Sequence, residues 1–95
     1  MKMKKFNEFA ETFIDFEVPF MLLINSSFID TEREVTLAAL EVNEEDKTVW
    51  LREKGSEKEE PVETKFKYEE ILNTDETFIF ILKDGTRITF CFFYL

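Results

Sequence analysis

The chain predicts an α+β fold: an N-terminal amphipathic helix packed on a five- or six-stranded antiparallel sheet or small barrel, ending in a β-hairpin. Three observations carry this reading. Phe6, Phe9, Ala10, Phe13 and Ile14 recur at the spacing of one helix face. Val62, Thr64, Phe66 and Tyr68 alternate with Glu63, Lys65 and Lys67, the pattern of a half-exposed strand. Asp84-Gly85 stands between two β-rich apolar runs, which is the strongest short-range hairpin signal.

The helix is placed from about Lys4 to Phe16, with Asn7, Glu8, Glu11, Thr12 and Asp15 on its polar side and Pro19 beyond its end. Three lysines gathered at one end and acids on the polar face argue for a core-facing helix over a membrane-surface one. Phe20–Ile24 is wholly apolar and reads as a buried strand, closed by Asn25-Ser26-Ser27, with a turn around Phe28–Thr31. From Glu34 to Val42 the alternation is imperfect. Val35, Leu37 and Ala39 fall on one side, and Thr36, Ala38, Leu40 and Val42 on the other. Leu-Ala-Ala-Leu-Glu also favours helix. Strand is preferred because Asn43–Lys47 reads as a hairpin loop into the β run Thr48–Arg52. Glu53–Glu60 is loop, Val62–Tyr68 strand, and Glu69–Glu76 a connection with one helical turn around Ile71-Leu72. Residues 1–95 read as one domain without repeat or linker.

For the terminal hairpin, a type I′ turn with Asp84 and Gly85 at its centre sets Lys83 opposite Thr86 and Leu82 opposite Arg87. One face then carries Ile79, Ile81, Ile88, Phe90, Phe92 and Tyr94. The other carries Phe78, Phe80, Leu82, Arg87, Thr89, Cys91, Phe93 and Leu95. Both faces are mostly apolar, so both need cover, from the helix, a second layer or another chain. A helix followed by five strands is similar in outline to Sm-like and SH3-like small barrels. The likeness is of topology alone: Leu37–Val42 holds no Gly for the first Sm motif, and Arg87 is followed by Ile88, not Gly.

Composition narrows the chemistry. Twelve phenylalanines imply a Phe-built core, since each large ring buries on the order of 150–250 Å². The single cysteine excludes an internal disulfide, and the basic start Met1–Lys5 leads into no apolar signal core, so a cytoplasmic protein is expected. With no histidine, the commonest general base and most transition-metal sites are missing. Neither Glu44–Asp46 nor Glu57–Glu60 has the spacing of a calcium loop, and the two glycines, Gly55 and Gly85, form no phosphate loop. The reading is therefore a non-enzyme with no cofactor and no metal.

The net charge is −9, and residues 41–76 hold thirteen acidic against six basic side chains. Such a field repels nucleic-acid phosphates and membrane surfaces and favours a protein partner with a basic surface. The function expected is a small acidic protein-binding domain, an inhibitor or neutraliser of the phage, mobile-element or immunity-protein type. Its contact residues would be Trp50 with Glu44, Glu45, Asp46, Glu57, Glu59 and Glu60. The second hairpin face, through Phe78, Phe80, Leu82, Phe93 and Leu95, is the expected self-association surface of a homodimer. The alternative is an oligomer binding a small ligand at the subunit interface, anchored by Arg87 and Thr89. A structural subunit whose apolar face docks to a neighbour is a third possibility.

Overall fold

The structure is a computed structural model that describes residues 2–55, 62–74 and 76–92. Among the described residues one helix, α1 (Lys2–Asp15), precedes eight strands: β1 (Phe20–Asn25), β2 (Asp30–Val35), β3 (Leu37–Asn43), β4 (Thr48–Glu53), β5 (Glu63–Lys67), β6 (Glu70–Thr74), β7 (Thr77–Ile81) and β8 (Arg87–Cys91). They form a five-stranded antiparallel sheet in the order β2-β1-β8-β7-β6 and a three-stranded one in the order β3-β4-β5. The α+β class with antiparallel sheet stands as expected. The small barrel does not: no ladder joins a strand of one sheet to a strand of the other, so the barrel is not closed. Among the described residues no helix is long and apolar enough to cross a membrane.

The helix forms where its Phe period predicts. Phe6, Ala10 and Phe13 are buried, while Phe9 and Ile14 pack along the flanks. It ends in a Schellman motif. Glu17 takes the left-handed φ of 53°, its N–H bonds to Ile14 O at 3.2 Å, and Val18 N–H bonds to Phe13 O at 2.9 Å.

Two strands differ from the sequence reading. The expected turn continues into β2, and the expected connection at 69–76 contains β6 rather than a helical turn. Both are edge strands of the large sheet. An edge needs little apolar patterning: in β2 only Val35 is buried, and the charges of Asp30, Glu32, Arg33 and Glu34 blunt the exposed ladder. The chain then changes sheets in two places. It crosses from β2 to β3 at Thr36, whose carbonyl accepts from Lys54 N–H at 2.7 Å. It crosses back between β5 and β6, where Tyr68 N–H bonds to Lys47 O at 2.9 Å and Glu69 N–H to Ile81 O at 2.8 Å.

A β-bulge between Leu37 and Ala39 explains the imperfect alternation of this region. Unbroken alternation from Val35 would turn Glu41 into the core. The extra residue resets the phase, so that Leu40 and Val42 pack on the core and Glu41 is exposed.

The hairpin register also differs. β7 and β8 pair Phe78 with Phe90, Phe80 with Ile88, and Ile81 with Arg87. The loop has three residues, Lys83, Asp84 and Gly85, closed by Leu82 N–H to Thr86 O at 2.8 Å, with Gly85 at φ +90°. This is the type I turn with a bulged left-handed glycine, one residue longer than the I′ turn. A slip of one residue moves the whole strand to the other face. Phe78, Phe80 and Leu82 therefore share a face with Ile88, Phe90 and Phe92, whereas Ile79 and Ile81 lie with Arg87, Thr89 and Cys91.

That inner face is the core. Phe6 sets its ring edge-on to Phe78, Phe80 and Phe90, each at 5.2 Å between centroids. Phe66 and Tyr68 close on Phe80 from the small sheet at 5.6 and 5.2 Å. Val49, Leu51 and Leu37 complete the packing. The helix and the small sheet thus cover the same side of the large sheet. At the margin Arg33 of β2 forms a two-pronged pair with Glu53 at the end of β4. The hydrogen bond to Glu53 raises the already high Arg33 pKa, and the pair ties the two sheets together.

Candidate functional site

Two sheet faces are left open by the described residues, and they point in opposite directions. The first is the outer face of the small sheet. Strand pairing sets Glu41, Trp50 and Lys65 in one row, Asn43, Thr48 and Lys67 in the next, and Ala39, Arg52 and Glu63 in the third. Trp50, half-buried, is the centre of this grid. A cleft of about 370 Å³ opens beside it, lined by Glu41, Asn43, Asp46, Thr48, Trp50 and Lys65.

Local geometry holds this site in place. Arg52 lies over the Trp50 ring at 5.4 Å from its centroid. Its guanidinium donates to Glu63 Oε1 from Nε at 3.0 Å and from Nη2 at 2.5 Å. The β3–β4 loop is fixed by Asn43, whose Oδ1 accepts from Asp46 N–H at 3.0 Å while its Nδ2 donates to Asp46 Oδ2 at 3.2 Å. Lys47 then takes a left-handed φ of 54° to return the chain into β4. Glu44 and Glu45 stand exposed at the loop tip beside Asp46. Burial, and after it the Glu44 charge, pushes the Tyr68 hydroxyl above the ordinary tyrosine value. The cleft combines an aromatic wall with two carboxylates, Glu41 and Asp46, against one ammonium, Lys65. Such a lining suits a cation.

The second open face is the outer side of the large sheet. Its middle row runs Glu32, Leu23, Thr89, Ile79, Leu72 from β2 to β6. Met21, Cys91 and Thr77 lie in the row on one side of it, and Asn25, Arg87 and Ile81 in the row on the other. The part-buried residues that pack on the core include Ile24, Ile71 and Leu82 of this sheet, all on its inner side. Met21, Leu23, Ile79 and Ile81 face away from it. At one end of this face the β1–β2 turn projects Phe28, 95% exposed, and Ile29, 63% exposed. Ser26 braces that turn: its Oγ accepts from Ile29 N–H at 3.0 Å and donates to Ile29 O at 3.0 Å.

The residues singled out in the sequence are distributed as follows. Trp50 and Asp46 come together in the cleft, with Glu44 and Glu45 on the adjoining loop. Glu57, Glu59, Glu60, Phe93 and Leu95 lie outside the described residues. Phe78 and Phe80 are 0% exposed and Leu82 packs on the core, so these three belong to the chain's own interior and offer no self-association face. The register slip is the reason. Arg87 is exposed and Thr89 half-buried on the open outer face, and neither lines the clefts at Trp50 or between α1 and β3.

Sequence reasoning missed Glu41, hidden by the bulge, and the Phe28–Ile29 tip. A signal for the tip existed: an apolar pair between Ser27 and Asp30, where turn chemistry calls for polar residues.

Fold and site together define a helix-backed, two-sheet α+β protein with an acidic aromatic cleft on one side and an apolar sheet face on the other. No protein-family model, no curated protein and no solved structure matches the chain.

Proposed function

We propose that this chain is a non-enzymatic protein-binding domain whose Trp50 cleft takes a lysine or arginine side chain from the basic surface of a partner. By occupying that surface it inhibits or neutralises the partner. The observation that carries the reading is that Trp50 lines a cleft of about 370 Å³ together with the carboxylates of Glu41 and Asp46. A half-exposed tryptophan in a concave site is the kind of residue that dominates protein interfaces. A cation entering the cleft would find an aromatic ring and two carboxylates in its lining. The local excess of acid in residues 41–76 supports the reading from a longer range, because it draws a basic partner in before contact.

The test is capture of the partner by the tagged protein from cells that express it, followed by titration with the purified partner. Trp50→Ala is expected to weaken binding by about tenfold or more, the cost of losing a hot-spot residue. Glu41→Lys with Asp46→Lys is expected to weaken it further and to flatten its dependence on salt. A captured partner that binds both variants as tightly as the parent, with the same salt slope, removes the Trp50 cleft from this role.

A further inference from the structure

The outer face of the large sheet has an apolar centre, Met21, Leu23, Ile79 and Ile81, and no described residue packs over it. Its margins are acidic. Asp30, Glu32 and Glu34 line it on β2 and Glu70 on β6, and Arg87 is the one cation on the face among the described residues.

A second copy of the chain is a poor occupant, and the reason is symmetry. A two-fold axis along the strands lays β2 of one copy over β6 of the other, with Asp30 and Glu70, which share a row, face to face. An axis across the strands lays β2 on β2. Either arrangement sets carboxylates against carboxylates with only Arg87 to offset them, and like charges brought together across an interface are destabilising.

We infer that this face is a docking surface for a second protein of complementary design, with an apolar strip flanked by lysine or arginine and long enough to reach the Phe28–Ile29 tip. It lies on the opposite side of the molecule from Trp50, so the chain can hold this protein while its Trp50 cleft is occupied. The inference does not depend on the Trp50 reading, since it uses different residues and a different sheet.

The native Cys91, the chain's single cysteine, reports directly on this face. The probe is a cationic β-hairpin peptide of alternating lysine and valine, with the glutamate–valine peptide as control. It is titrated into isotope-labelled protein, read by amide shifts and by the rate of Cys91 alkylation with iodoacetamide. Saturable shifts at Leu23, Ile79 and Thr89, with slower Cys91 alkylation, are the expected result. Glu32→Lys with Glu34→Lys should weaken the binding several-fold while leaving the free protein's spectrum folded, and Phe28→Ser should weaken it without changing the margins. The inference is overturned by shifts confined to the Trp50 indole and its neighbours, by no shifts at all, or by equal binding of the acidic peptide. A dimeric mass for the protein alone in light scattering would overturn it as well, since a second copy would then hold the face.

Discussion

Two phenylalanines mark the extremes of what a ring does in this chain. Phe6 meets three other rings edge-on at 5.2 Å and is wholly buried, whereas Phe28 is almost wholly in water. Truncating a ring at the centre of such a cluster removes its transfer energy and leaves a cavity. Phe6→Ala is therefore expected to cost about 3–5 kcal/mol, read as a lower urea midpoint. Phe28→Ser should change stability by no more than about 0.5 kcal/mol, because the ring makes no core contact to lose. Cys91 permits a second test. Burial pushes its thiol pKa up, a hydrogen bond with Thr77 pulls it down, and the Glu32 charge pushes it up again, for a net rise. The thiolate is the reactive form. Alkylation of the folded protein should then rise with pH to a midpoint above that of a free thiol, and Glu32→Gln should bring the midpoint down. Trp50 was legible as a candidate because an aromatic beside charges is visible in one dimension. Its partner Glu41 was not, because the bulge that turns Glu41 outward leaves no mark beyond a faulty alternation.

At the scale of elements, the helix and the five apolar or cleanly alternating strands could be read directly from their periods. The edges β2 and β6 could not. A strand that buries one residue in six gives no pattern to read, and its pairing is set by β1 or β7 beside it. The hairpin is more instructive. Asp84-Gly85 fits a two-residue and a three-residue loop equally well, and the choice flips one strand. The side chains themselves favour the longer loop, which gathers Phe78, Phe80, Phe90 and Phe92 on one side and leaves Arg87 and Thr89 with the isoleucines on the other. Gly85 at φ +90° is the residue that permits it, and a Cβ there would meet no neighbouring atom within 4 Å. Gly85→Ala should thus destabilise through backbone strain without a clash, by about 1 kcal/mol, seen as a lower thermal midpoint with an unchanged fold by circular dichroism. Asp84 supports the same loop. Its carboxylate accepts from Thr86 N–H at 3.0 Å, which holds it below the usual aspartate range. The support is full above the unfolded pKa and fades as pH falls through the lowered folded value.

For the molecule as a whole, the charge of −9 sets the response to salt. Self-repulsion among like charges opposes the compact state, and it is screened within about 8–10 Å at ordinary ionic strength. The Arg33–Glu53 pair, with Glu53 mostly buried, is only weakly screened, and the exposed Lys54–Glu17 pair adds little that salt would take away. Added sodium chloride should therefore raise the melting temperature. A fall on adding salt would mean that the ion pairs outweigh the repulsion. The β1–β8 ladder has a kinetic consequence. It joins Met21 to Cys91 and Asn25 to Arg87, so the centre of the large sheet is stitched from residues far apart along the chain. Local hairpins such as β7–β8 can form early, but the sheet remains in two halves until that ladder zips. Chains dominated by such distant pairings fold in milliseconds to seconds, not microseconds. Until then the inner Phe face is open to water and to other chains, and the acidic field that repels them guards this slow-folding protein during its assembly.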